Sequence, residues 1–380
     1  MFQDNLRKSL VALEIAKEEV ITDGTTKNLP YINYQKPVQY TKYTAVNSVA
    51  AKTGNDQIVI NQTPMIPFEI DRIDMDDNYL DVTPELISSA GYMLKSAIDG
   101  DVLNQTLQAA NVYNANGLNG DGTAAPVELS LTTGTGYIPT VFGSPKSRLL
   151  AAWVNASRLA MAVDSQTVDD LSNLGIEKWF NVADEAIARG YRGTFKGMAI
   201  YETNNLTATR TLALATNPTA DDTITILGVN LKFVSTLADA GDVLIGADVA
   251  ATTANLIAAV NGDAGAGTTY VEIEEPAVFA GITASVVTGG VLFTSLTGRM
   301  YASSKLTASD DKFGAESVES LITEKGAIRF AIRNNVEIKQ DSDSDSLVEK
   351  FKVWSRYGVA TPSRWKTRMC RVSIQWAAAE

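Results

Sequence analysis

Three aspartates alternate late in the sequence, Asp341, Asp343 and Asp345, and carboxylates at that spacing can open a calcium-binding loop. Counted from Asp341, the position that needs glycine is Ser346, and the one that needs a bidentate glutamate is Lys352. The run therefore reads as a solvated hairpin tip. A second acidic run, Asp71, Asp74, Asp76 and Asp77, could hold a cation between subunits. With Arg72 as a local partner, it reads better as a surface connector. The sequence contains no histidine, which removes the commonest general base and metal ligand and the usual base of a nucleophile pair. Its single cysteine, Cys370, excludes an intrachain disulfide and a cysteine-based zinc site, and apolar neighbours suggest a small buried residue. Neither a glycine-rich phosphate loop nor a Gly-x-Ser-x-Gly elbow is present. These readings predict a non-enzyme without cofactor or metal.

The 380 residues allow one large domain or two to three smaller ones, and 45% apolar content with 20% charged residues suffices for a true core. A formal net charge of −12 argues against a chain that wraps nucleic acid with its main surface. It leaves room for a shell that merely surrounds nucleic acid. No apolar run is long enough to cross a membrane, and Met1–Asp4 does not open like a signal peptide, so cytoplasmic synthesis is expected.

The elements that must position these residues read as α+β. A short amphipathic helix around Leu6, Leu10, Leu13, Ile15 and Ala16 opens an arm that must lie on its own body or on a neighbour. Two extended runs, Val38–Val46 and Gln57–Thr63, form a ribbon with a polar tip at 51–56. Such a ribbon is marginal alone. Met65–Ile70 leads into one long helix, Pro84–Asn111, with Thr83 as N-cap and Gly91 and Gly100 as weak points. Leu86, Ala90, Met93, Leu94, Ile98 and Val102 define its apolar face. A Gly/Asn/Thr-rich loop follows at 113–145, then helices at 146–163 and 179–188, and a strand–turn–strand unit at 190–206. Residues 207–310 change texture, being rich in Ala, Thr, Gly and Val. A hairpin around Gly228, a helix at 250–261 and strands at 283–296 mark them as a small α+β insertion. Strands at 326–339, 347–359 and 370–376 close the chain.

Three pieces in this order carry a resemblance. The ribbon and long helix, Val38–Asn111, come first. Then comes Gly193-Thr194-Phe195-Lys196-Gly197, running on to Tyr201-Glu202-Thr203-Asn204-Asn205-Leu206. Last is a strand, an acidic loop and Trp354-Ser355-Arg356-Tyr357-Gly358-Val359. Together they resemble the major capsid proteins of tailed bacteriophages, which share the Hong Kong 97-like fold. The resemblance covers nearly the whole chain outside 207–310. It implies an N-arm (1–35), an E-loop (36–70), a peripheral domain with a spine helix (71–112 and 333–365), an axial domain (113–206, 311–332 and 366–380) and an inserted domain (207–310). It also implies self-assembly into pentamers and hexamers that close an icosahedral shell around double-stranded DNA, in a virion built in the host cytoplasm. The expected partners are copies of the chain itself, a scaffolding protein on a separate chain, a portal and a decoration protein. Subunit contacts fall to Val38, Tyr40, Lys42, Lys52, Ile58 and Ile60 on the ribbon, and to Asp341, Asp343 and Asp345. Some members of the family cross-link a lysine to an asparagine; here Lys42 or Lys52 with Asn334 or Asn335 would be the pair, without a motif to fix it. The competing readings are an encapsulin-type compartment shell and, in a different class, a surface adhesion protein.

Overall fold

The structure is a computed structural model. It describes the chain except residues 1–10, 20, 22–23, 33–38, 44, 46–52, 72–81, 120–124, 131–133, 135, 174–190, 275, 280, 297, 299, 309–311, 343–347 and 376–380. In chain order, α1 (Val11–Ile15), β1 (Lys17–Glu18), β2 (Thr26–Ile32), β3 (Thr53–Val59) and β4 (Met65–Asp71) lead to the long helix α2 (Val82–Leu103). Next come β5 (Asn111–Asn114), β6 (Gly117–Leu118), β7 (Val127–Glu128), α3 (Ile138–Ala151), β8 (Leu159–Val163) and α4 (Ser165–Asn173). Strands β9 (Tyr191–Phe195), β10 (Met198–Glu202) and β11 (Ala208–Ala213) follow, then β12 (Thr223–Ile226), β13 (Val229–Val234), β14 (Asp242–Leu244) and α5 (Val249–Asn261). The chain continues through β15 (Ile282–Val287), β16 (Gly290–Ser295), β17 (Ala302–Lys305), β18 (Ser317–Glu324), β19 (Arg329–Ser342), β20 (Val348–Ala360) and β21 (Met369–Gln375).

Helix α2 lies across a four-stranded sheet of order β1-β19-β20-β4. Ala90, Leu94, Ile98 and Val102, spaced four apart, are buried on one face of the helix. The first two meet Val353, Ile66 and Phe68 of the sheet, and the last two enter a core shared with α1, Phe330 and Tyr357. Phe68 stacks on Phe351 with ring centroids 5.2 Å apart. The helix is shorter than expected: after Leu103 the chain tightens into a 3-10 turn, Asn104–Gln108, and leaves as β5. Twenty-two residues at 1.5 Å each give about 33 Å. Leu86 and Met93, expected on the inner face, are exposed. The side chains of the expected cap, Thr83 to Glu85, lie outside the described residues. Gly100 is no break in the helix. A Cβ there would stand 3.0 Å from the Leu296 carbonyl, so glycine permits that contact.

The large sheet runs β15-β16-β11-β18-β21-β5-β6, with β8, β10 and β9 branching from β18. All eight residues of β18 are buried. It pairs with β21 on one side, and on the other with β11 at its start and β8 at its end. This central strand was not expected from sequence. Leu159–Val163, expected as helix, is strand β8, buried at every residue; a short apolar run suits either state and is decided by its neighbours. The expected loop at 113–145 contains β6 and β7 and the start of α3. The expected helix at 179–188 lies outside the described residues.

Within 207–310, a second four-stranded sheet, β14-β13-β12-β17, and α5 close around their own apolar core. Strands β12 and β13 turn through Leu227 and Gly228, both at positive φ, as two-residue hairpins require. The segment is not a separate appendage. Its first strand, β11, and its β15–β16 hairpin belong to the large sheet.

Candidate assembly surfaces

The two-stranded ribbon exists, but with a different first strand. Residues of β3 pair antiparallel with β2, from Thr26 opposite Val59 to Ile32 opposite Thr53. The expected partner, 38–46, is not a strand where described: Lys42 and Tyr43 form a turn, with Tyr43 at φ 68°. Segment 26–32, expected as part of the arm, is this strand; Pro30 and the preceding turn residues hide a strand that needs only an edge partner.

Of the expected contact residues, Tyr40 and Lys42 are exposed, and the Lys42 ammonium sits 4.9 Å over the Tyr43 ring. Ile58 and Ile60 are buried within the chain itself, against Ile21 and Ala331. They anchor the ribbon to its own body rather than facing outward. Gly358 of β20 makes this seat possible, because a Cβ there would come within 2.2 Å of the Val59 carbonyl. The outward apolar residues of the ribbon are Val59 and Ile32, the latter 65% exposed. Val38, Lys52, Asp343 and Asp345 lie outside the described residues. Asp341 is exposed near the end of β19, 3.5 Å from Lys339. Asn334 sits in β19 between two register shifts, and Asn335 is next to it. Among the described residues, no three His, Cys, Asp or Glu side chains gather as a metal site, and no helix is long and apolar enough to cross a membrane. Cys370 is buried in β21, and burial pushes its thiol up to about 12.

Polar ties hold the long helix to distant segments. The buried Asp99 carboxylate accepts the Ala12 N–H at 3.0 Å and fixes the arm helix α1 to α2. Burial, only partly offset by its hydrogen bonds and by Lys95, raises its pKa to about 6. The Tyr357 hydroxyl donates to Asp101. Burial first, and then this carboxylate, push the phenol's pKa upward. The Asn204-Asn205-Leu206 motif acquires a physical role here. Ser96 donates to the Asn205 side chain at 3.0 Å, Leu206 is buried, and Thr207 donates to Asn104 at 2.6 Å. The motif joins the large sheet to the helix. Just before it, β9 and β10 form a tight hairpin through Lys196 and Gly197, both at positive φ.

Apolar side chains remain bare on several elements. Tyr92 and Met93 project from α2, Ile32 from the ribbon, and Trp153, 94% exposed, from the turn after α3.

No protein-family model and no curated protein matches the chain. Solved structures are similar to it. One from Mycobacterium phage Adephagia is similar over 98% of this chain and 92% of its own, at 8% identity and a TM-score of 0.50. The capsid structure of the cyanophage P-SCSP1u is similar over 96% of this chain and 87% of its own, at 12% identity and a TM-score of 0.49. The mature capsid of bacteriophage PhiM1 is similar over 97% and 87%, at 10% identity and a TM-score of 0.47. The likeness extends over nearly the whole length, and the chain has a Hong Kong 97-like fold.

Proposed function

We propose that this chain is the major capsid protein of a tailed double-stranded DNA bacteriophage, with a structural rather than catalytic role. Copies of it form pentamers and hexamers that close an icosahedral head. In this reading the β2–β3 ribbon is the E-loop, and α2 with β1, β19, β20 and β4 forms the peripheral domain. The large sheet is the axial domain, and most of 207–310 stands on it as an insertion. A scaffolding protein, a portal and a decoration protein are its expected partners during and after assembly in the host cytoplasm.

The observation that supports this most is the placement of bare apolar groups. Ile32, Tyr92, Met93 and Trp153 stand on separate elements, the ribbon, the long helix and the turn after α3, instead of in one patch, and Val286 and Tyr301 add to them on the inserted segment. A monomer in water leaves them uncovered, and head-to-tail contacts between identical copies would cover them while closing rings. Ile58 and Ile60 seat the root of the ribbon at home, so a neighbour would receive its outer face and tip.

Electron microscopy and light scattering of the purified chain test the reading. Closed shells, or rings of five and six copies, are the expected result. A monodisperse monomer under every assembly condition, including added scaffolding protein, overturns it. Ile32→Asp should abolish shells while leaving the monomer folded, since that side chain is outside every internal core.

A further inference from the structure

The chain carries a net charge of −12, yet its fold gathers cations from distant segments around one indole ring. Arg329 of β19 lies 3.9 Å from the centroid of Trp365, and Arg364 and Arg368 lie 5.4 and 5.6 Å from it. Arg158 joins this group. It donates to the Lys325 carbonyl at 2.8 Å and stands 3.6 Å from Glu324, the carboxylate that also receives Arg368 at 2.7 Å. The arm adds Lys17, whose Cβ faces Gly326 beside the Arg158 guanidinium.

The carboxylates within the group are already shared. Glu19 meets Arg329 at 2.7 Å, Lys27 at 3.0 Å and Lys17 at 3.4 Å. Glu324 divides itself between Arg158 and Arg368. Asp56, at the edge, accepts the Ser363 N–H at 3.5 Å. Among the described residues, Arg364 and the Lys325 ammonium have no carboxylate partner. Arg364 stacks on Tyr31 at 4.7 Å as well as on Trp365, and Lys325 donates to the Tyr201 hydroxyl. A second, independent observation concerns Arg329. It is 7% exposed, and its Nε has no hydrogen-bond acceptor among the described residues. Burial lowers its pKa, Glu19 opposes that, and the nearby Arg364 and Arg158 lower it further. Like charges are thus held together by stacking on a rigid ring, with fewer anions than the array can engage.

We infer that this arginine array is a contact site for the phosphates of the enclosed nucleic acid. The inference deepens the capsid reading and rests on it for its biological setting. Guanidinium groups stacked on aromatic faces are already ordered, so little rotamer freedom is lost when their forks meet phosphate oxygens. The net charge of −12 opposes a polyanion over the molecule as a whole, which favours a local cationic array, and phosphate contacts do not read sequence. An acidic protein segment is the competing occupant.

Fluorescence anisotropy of a short mixed-sequence DNA duplex with the full-length unassembled chain tests the inference, beside oligoglutamate of equal charge. About three neutralised phosphates predict a log–log salt slope of about −3. Arg158→Gln/Arg364→Gln alters two exposed side chains. It should lower the slope by about 2 and weaken duplex binding about tenfold or more at low salt, with the chain still folded and a modest drop in the thermal melt because Arg158 also holds Glu324 and the Lys325 carbonyl. Lys325→Gln is the second variant should that pair fail to fold. Lys232→Gln, in the inserted segment, should change nothing. Duplex binding that ignores these arginines, or oligoglutamate that binds more tightly than duplex, overturns the inference. Imaging the same preparations separates the two proposals: shells from a chain whose array ignores DNA remove only this one, and array-dependent binding by a chain that never assembles removes only the capsid reading.

Discussion

The core of the inserted segment closes within one stretch of the chain, its two ends tied by Asp222 and Thr307 across 85 residues, whereas the core around α2 closes through partners drawn from both ends of the chain. In the insert, Asp248 caps α5 by accepting the Ala251 N–H at 2.7 Å, and Gly262 ends the helix at φ 67°. Strands β12 and β13 are joined by two residues. Around α2, by contrast, Tyr357 reaches Asp101 across 256 residues, and Arg329 reaches Glu19 across 310. Closing such long loops costs more entropy, and no one of these contacts forms until the others have brought its partners close. The insert should therefore open and close as a local unit, and the body as a single cooperative one.

Paired core truncations can break this comparison with the largest effect. Phe233→Ala should cost about 3–5 kcal/mol and Leu94→Ala about 2–5 kcal/mol, both being fully buried. Hydrogen exchange should show the first loosening only the β12–β17 region, and the second loosening α1, β4 and β20 together. Equal loosening of α1 by both variants would mean that the two cores are one.

The next effect is the pH dependence of the arm. The folded-state pKa of Asp99, about 6, lies above the unfolded value of about 3.9, so the folded chain holds this proton more tightly. Its contribution is fully present below about pH 4 and is lost as pH rises through about 6. Asp99→Asn keeps an oxygen for the Ala12 N–H and should remove that slope. Urea melts above about pH 6 should then show the variant more stable by roughly 2–3 kcal/mol, and no gain at about pH 4. Inside the insert no comparable slope is expected from its apolar core.

The smallest effects sharpen the local side. Asp248→Ala removes the cap of α5 and should cost about 1 kcal/mol. Gly262→Ala has open space for its methyl, so the left-handed backbone alone sets a cost of about 1 kcal/mol. Denaturation followed by a probe within 207–310 should report both, while shells still form.

The same contrast decides what could be read from the sequence. Helix α5, the β12–β13 hairpin and the β9–β10 turn are legible because their signals are local: a cap, a turn dipeptide, an alternation. Strand β18 is not. Glu319, Ser320, Thr323 and Glu324 look like surface residues; Ser373, Arg371, Arg158 and Arg368, drawn from other segments, make the burial of the two glutamates tolerable, while the Ser320 hydroxyl has no hydrogen-bond partner among the described residues. The end of α2 is hidden in the sequence because Asn104–Gln108 continues the pattern in a tighter turn. On the ribbon, β-forming composition favours 38–46, while the strand that pairs is 26–32. Ile58 and Ile60 carry the alternation of a strand, but alternation alone cannot tell an inward face from a neighbour-facing one. The arginine array left no linear trace, since its members are scattered from residue 158 to residue 368.

The parallel pairing of β1 with β19, Lys17 opposite Arg329, has a temporal consequence. A ribosome adding about 5–20 residues per second must work for roughly 15–60 s after making Lys17 before it makes Arg329. Throughout that interval the leading strand has no berth on its own polypeptide, and its edge is open to proteases, chaperones and other nascent chains.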